Sequence, residues 1–321
     1  MVTKRPMPWF LTERGRTFSF NALAAAGITF TFAKFLPHSI GLQKYVDYVR
    51  YYTNGKPAEV PVELSNLYQE CLDALNFNEL HQRLVFPFSV FGFDLFHAGG
   101  CNSKYGAAIG IPKYFTYKSL ADIERDDIMV NQKKVDFTSE AGKKLANALI
   151  LSEREQKFAL CRELLMVRNN KFMIESSYPL VCTLLVYAIC HSLNVKLKLY
   201  VAPTFVRATL YTIAGSFVLG IYFLAKDITE VHYETETDKQ LCELGQEYIE
   251  SGVEFYDKML QRNQALRELM GSEGESKYSK LGNENFFIRQ PRTSLVHRKL
   301  FFESKLKECV SKDVDEIKDE A

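Results

Sequence analysis

The stretch Cys161-Arg162-Glu163-Leu164-Leu165-Met166 carries the side chains best suited to chemistry in this chain. Its apolar spacing makes it helical, and a second acidic segment, Tyr233-Glu234-Thr235-Glu236-Thr237-Asp238, lies further on. A helical glutamate with a histidine one residue before it and another three residues after it is the general base of a zinc site. The two imidazoles, at i and i+4, share one helix face and reach one ion. Here those positions are Arg162 and Met166. Arginine cannot be deprotonated to bind a metal and puts a positive charge where the cation would sit. A methionine thioether is a poor zinc ligand and prefers softer ions. The ordinary alternatives are a solvated ion pair of Glu163 with Arg162, Arg168 or Lys157, and an acidic first helical turn for Glu234, Glu236 and Asp238, which the helix dipole favours.

Other chemistry is thinly represented. His38, His81, His97, His191, His232 and His297 include no pair at i, i+3 or i, i+4. His191 falls near the end of an apolar run, where snorkelling to an interface accounts for it. Cys182 and Cys190 share that run; two thiols on one face suit copper(I), and packing is the commoner use of buried cysteine. The 7 cysteines are odd in number and include no CxxC pair, which argues against a disulfide framework or a zinc ribbon. Gly106, Gly110 and Pro112 form no phosphate-binding loop, and no GxSxG elbow is present. No catalytic residue, metal ligand or cofactor is expected.

The elements that would position these residues begin with the membrane. Ser176–Leu193 and Ala208–Ala225 are uncharged apolar runs, each at the short end of what spans a hydrocarbon core of roughly 30 Å. A short basic loop, 194–207, separates them and carries Lys196, Lys198 and Arg207 with no acid. A third run, Thr17–Ala33, follows Lys4, Arg5, Arg14 and Arg16 and reads as a first span or as the apolar part of a targeting segment, a retained span being preferred. Basic flanks stay on the side from which insertion is directed. With three spans the N-terminus and the hairpin loop agree, and residues from about 35 to 171 and from 226 to 321 then share the opposite compartment. The hairpin thus interrupts one soluble domain.

Within that domain, Val60–Leu80 and Ser139–Ile150 have helical spacing, whereas Leu84–Phe96 and Tyr105–Phe115 read as strands. Ser152 and Glu155 fit a capping box opening a helix that leads into the hairpin. Asp238–Met270 reads as one further long helix, and 272–321 as a polar tail, ordered in part. Its basic residues Arg289, Arg292, Arg298 and Lys299 alternate with Phe and Leu, a pattern suited to a solvated face or to acidic lipid headgroups. Lys+Arg 40 against Asp+Glu 39 excludes the broad basic surface of a nucleic-acid binder. A hydrophobic content of 47% excludes a chain too polar to fold. The expected class is α+β, mostly helical: an integral membrane protein whose soluble domain is split by a transmembrane helical hairpin.

The order of helix, membrane hairpin and acidic segment resembles integral-membrane zinc metallopeptidases of the HExxH type, with Glu163 where the base would fall and Glu236 where a third ligand would fall. Without histidines at 162 and 166, that resemblance implies an inactive, peptidase-like fold. Longer blocks, LSEREQKFALCRE (151–163), GVEFYDKMLQRNQALRELMG (252–271), GESKYSKLGN (274–283) and GAAIGIP (106–112), resemble the transmembrane protein 177 family of animal mitochondria. The first hundred residues match only loosely. The resemblance implies a multi-pass mitochondrial inner-membrane protein that assists early cytochrome c oxidase biogenesis. Its expected partners are newly made subunit II, the early assembly chaperone of that subunit, nearby copper metallochaperones and membrane lipid. The charge argument places the soluble domain in the intermembrane space. Small residues of the second span, Ala208, Ala214, Gly215, Ser216 and Gly220, are candidate helix-packing positions.

Overall fold

The computed structural model describes Trp9 and residues 12–125 and 128–319. Helix α1 (Glu13–Phe35) leads into α2 (Leu42–Val49), a hairpin of β1 (Tyr52–Thr53) and β2 (Lys56–Pro57), α3 (Val62–Ala74) and α4 (Glu79–Leu84). Strands β3 (Val85–Val90), β4 (Phe96–Gly99) and β5 (Ala107–Pro112) follow, then α5 (Leu120–Arg125). A second hairpin of β6 (Met129–Val130) and β7 (Lys133–Lys134) precedes α6 (Glu140–Leu149) and α7 (Glu153–Arg168). The long α8 (Lys171–Lys196) and α9 (Thr204–Cys242) come next, and α10 (Gln246–Leu269), α11 (Ser272–Lys277) and α12 (Leu295–Asp319) end the chain.

Three helices, spanning Glu13–His38, Lys171–Lys196 and Thr204–Cys242, are long and apolar enough to cross a membrane. Their apolar windows are only 6%, 11% and 11% buried inside the protein, so their large side chains (Phe30, Phe32, Ile213, Phe217) point outward. That is the pattern of a lipid-facing surface, the reverse of a soluble core. Helix α1 lies against α8 at Gly27, where an added Cβ would meet Thr183 and Leu180 at 3.1 and 3.2 Å. At one end of the bundle the Arg16 guanidinium stands 5.8 Å from the Tyr200 ring centroid. At the other, Lys34 Nζ is 3.1 Å from Glu175 Oε2 and lies over the Tyr178 and Tyr222 rings at 6.0 and 5.9 Å. The rise from Arg16 to Lys34 is about 27 Å at 1.5 Å per residue, close to the roughly 30 Å hydrocarbon core. The start of α1 and the hairpin loop therefore occupy one end, as their charges require, and the soluble domain stands at the other. Lys4 and Arg5 lie outside the described residues.

The second span does not stop where its apolar run stops. Helix α9 continues as one rod to Cys242, because beyond Asp227 its face carrying Glu234, Thr237, Asp238 and Leu241 is buried against the domain. The expected single helix over Asp238–Met270 is accordingly divided. Its first residues end α9, the chain turns at Gly245 with φ +122, and α10 begins at Gln246.

Helix α7 is the axis of the soluble core. Ser152 caps it by accepting from Glu155 N at 3.3 Å while the Glu155 carboxylate accepts from Ser152 N at 2.6 Å. The two orphan donors satisfied this way anchor the helix start. Its residues 158–167 except Arg162 are buried in turn, since α3, the sheet, α9 and α10 enclose it. Phe158 contacts Phe255, Tyr256 and Phe302 at centroid distances of 5.6, 5.8 and 5.3 Å. The sheet order is β3-β5-β4, with β3 parallel and β4 antiparallel to β5. Strands β3 and β5 fall inside the two expected stretches; β4 is too short to show a period. In β5 every residue is buried, and Gly110 leaves no room for a side chain between Phe96 and Val90.

The C-terminal segment departs from the expectation of a polar, partly ordered tail. Residues 295–319 are helical, and Phe302 is fully buried in the aromatic cluster. Of the four basic residues read there as solvated or lipid-facing, Arg298 is 2% exposed, held by acids on α9.

Candidate functional site

A cavity of about 740 Å³ lies where α7, α9, α10 and the strap 279–298 meet. Arg162, Glu163 and Met166 reach it from α7, Glu230 and Glu234 from α9, and Arg262 and Asn263 from α10. The segment between β3 and β4 adds Phe93, Asp94, Leu95, and β4 itself adds His97.

Glu163 is not on a solvated face; it is 2% exposed, because α7 is enclosed on nearly all sides. His97 Nδ1 lies 2.6 Å from Glu163 Oε2, and Arg162 Nη1 lies 3.5 Å from Oε1. Burial works against charge on this carboxyl, and the fields of Arg162 and His97 outweigh it, holding its pKa at about 2. An ionised carboxylate only accepts, so the His97 Nδ1–H is the donor. A base this weak is poorly matched to proton abstraction near neutrality. Arg162 Nε is buried without a hydrogen-bond partner. Met166 Sδ accepts from Thr237 Oγ1 at 3.3 Å, which commits it to packing α7 on α9.

Glu236 stays away from this group. Its side chain is 45% exposed and lies 3.7 Å from Lys239, so the four peptidase-like positions do not converge. The acids of α9 that do turn inward are Glu234 and Asp238, one turn apart. Arg298 forks onto Asp238 with Nε and Nη2 at 2.7 and 2.6 Å and reaches Glu234 with Nη1 at 3.5 Å. Glu234 also accepts from Thr293 N at 2.8 Å, Asp238 accepts from the Tyr256 hydroxyl at 3.1 Å, and the guanidinium lies 4.8 Å from the Tyr256 ring centroid. Arg262 bonds the Phe93 carbonyl at 2.7 Å and Asp94 at 2.8 Å, and Glu230 pairs with Lys171 at 2.7 Å. The acids are thus engaged by cations that tie separate elements together. Among the described residues no group of three or more His, Cys, Asp or Glu is arranged to hold a metal ion. Nothing in this geometry supports a zinc peptidase.

The remaining expected positions are dispersed. Cys190 is buried, Cys182 half-buried, and both are free thiols. His191 meets the Tyr200 hydroxyl at 3.2 Å at the basic end of the bundle. On α9, Ala214 turns inward, whereas Ala208, Ser216 and Gly220 are exposed. A Cβ built on Gly215 or Gly220 meets nothing within 4 Å, and Ser216 and Gly220, one turn apart, form an exposed small-residue face.

Sequence reasoning missed His97, which lies 66 positions before its partner and carries no local signal. Arg298 had a usable signal in the spacing of Leu295, Arg298 and Phe302 along one helix face.

A family model described as Transmembrane protein 177 matches residues 10–319. A protein named Transmembrane protein 177 from Xenopus laevis is 31% identical over 92% of this chain and 96% of its own length. Proteins of that name from Rattus norvegicus and Homo sapiens are 33% and 30% identical, each over 73% of this chain and 74% of their own. No solved structure matches.

Proposed function

The chain belongs to the transmembrane protein 177 family, and from that premise we propose that it is a non-catalytic assembly factor of the mitochondrial inner membrane. It stabilises newly made cytochrome c oxidase subunit II together with that subunit's early assembly chaperone, close to the copper metallochaperones that act later. The observation that carries this reading is the open face of α9 at Ser216 and Gly220, exposed small residues one turn apart, where a side chain added at Gly220 would meet nothing. Helices in lipid associate through close backbone approach and not through hydrophobic exclusion, and this face offers such an approach to a client span. By the positive-inside bias, the basic end of the bundle stays in the matrix and the soluble domain faces the intermembrane space, beside the soluble part of the client.

The test is a tagged pull-down in mild detergent after brief labelling of mitochondrial translation products. Newly made subunit II and its chaperone should be enriched, and Gly215→Leu with Gly220→Leu should lower that recovery while membrane insertion is unchanged. A well-recovered bait with no labelled mitochondrial product would sink the proposal.

A further inference from the structure

The segment from 283 to 298 can be placed by its contacts along α9, which acts as a ruler. Arg298 grips Asp238 and Glu234, and Thr293 N donates to Glu234 at 2.8 Å. Arg289 forks onto Asp227 with Nε at 2.9 Å and Nη2 at 2.5 Å and stands 4.2 Å from the Phe223 ring centroid. Glu234 to Asp227 is about 10 Å of helix at 1.5 Å per residue. The chain therefore descends toward the bundle, reaches the level of Asp227 at Arg289, and climbs back to begin α12. Asp227 is the first acid beyond the apolar run ending at Ala225. The neighbouring Tyr222 ring shares its level with Lys34 and, through Lys34, with Glu175 and Tyr178. Aromatic rings and ion pairs at one height on all three helices mark a membrane–water boundary.

Immediately before Arg289, which reaches the level of Asp227, the sequence is Phe286-Phe287-Ile288, residues that also border the open side of the cavity. Phe287 is 99% exposed and Ile288 85%. A pair of large apolar side chains so fully uncovered on a soluble surface is uncommon in an otherwise well-packed domain. Here the pair directly precedes Arg289, which lies over Phe223 of α9, and Arg292 follows three residues on.

We infer that Phe287 and Ile288 insert into the acyl–headgroup boundary of the bilayer that the chain itself crosses, as a fourth membrane attachment, with Arg289 and Arg292 at headgroup level. The occupant of this apolar tip is lipid. Apolar side chains below and cations above match the boundary in the order that interfacial segments use. The attachment also fixes the orientation of the cavity, since the same strap forms one of its walls. Glu230 and Glu234 then stand one to two helical turns above the membrane surface.

The test uses the full chain, purified and reconstituted into vesicles, with Trp9 replaced by Phe so that no native tryptophan remains. Phe287→Trp is placed in this background, and Val310→Trp, on an exposed site near the far end of α12, serves as the water-facing control. Vesicles contain either ordinary phosphatidylcholine or phosphatidylcholine brominated near the top of its acyl chains. The expected result is loss of most of the emission of the Phe287→Trp variant in brominated lipid, with the control unchanged. Water-like, unquenched emission from position 287 would overturn the inference. So would a blue-shifted but unquenched emission, which would show the tip buried against a second copy of the chain and not in lipid. Because Phe287 touches almost nothing in the folded chain, its replacement leaves folding unaffected, and circular dichroism checks that it does.

Discussion

Replacing Arg298 with Met should detach α12 from the domain without unfolding the rest. The Arg298 side chain is 3% exposed, and those of Asp238 and Glu234 are 5% and 6%. Methionine fills much of the same space over the Tyr256 ring but leaves both carboxylates buried without a cation. Removing one member of a buried, hydrogen-bonded ion pair costs about 3–5 kcal/mol, mostly the penalty for the charge left behind. A whole domain is stable by only about 5–15 kcal/mol, so a loss confined to one helix appears as local opening. At about 1.4 kcal/mol per tenfold, amide exchange in α12 should accelerate roughly 10²–10⁴-fold. Hydrogen exchange followed by mass spectrometry in detergent micelles reads this directly, with peptides covering 295–311 compared with those covering α6 and α7. The double variant Arg298→Met, Asp238→Asn should recover part of the protection, because the stranded charge is removed with its partner. Unchanged exchange in α12 would refute the assignment of this pair as the clasp. A uniform rise across all helices would refute the claim that its effect is local.

Three further outcomes follow from the same structure. The Glu163 pKa lies at about 2 in the fold against an ordinary 4.5. Its contribution is therefore complete above about pH 4.5 and is lost as pH falls toward 2, on the order of 3 kcal/mol in all. Resistance to pepsin over that range should fall more steeply in the parent chain than in Glu163→Gln, and identical profiles would count against a paired, buried Glu163. Gly27→Leu should weaken the packing of α1 on α8, because Thr183 and Leu180 already stand at 3.1 and 3.2 Å from an added Cβ; crosslinking between cysteines placed on the two helices measures it. Gly215→Leu should leave that same crosslinking intact, since its added side chain meets nothing within the chain.

What the sequence showed and what it hid divide along sequence distance. The three spans were legible because their signal is local: uncharged runs with charges just outside. The capping box at Ser152 and Glu155 is equally local, and it forms as read. The burial of Glu163 was not legible, because it depends on His97 from a strand too short to show its period. The inward turn of Glu234 and Asp238 was hidden for a related reason. A buried face made of acids looks like a solvated one until the distant Arg298 is known. The division at Gly245 had its signal in the glycine itself, which interrupts the spacing between Leu244 and Tyr248. In α12 the apolar positions Leu295, Phe302 and Leu306 recur at helical intervals, and the surrounding charge masked them. The α+β, mostly helical class was readable from all of this, whereas the cavity was not, since its walls come from widely separated parts of the chain.

The unbroken course of α9 makes it a lever. Its 39 residues extend about 58 Å at 1.5 Å per residue, of which roughly 22 Å stands beyond Asp227. A tilt of about 10°, within the range membrane helices adopt, moves the far end by roughly 4 Å. The acids that clasp α12 are mounted on that moving arm. Contact of another helix with the exposed face at Ser216 and Gly220 would thus be converted, with no intervening hinge, into displacement of the cavity wall above the membrane.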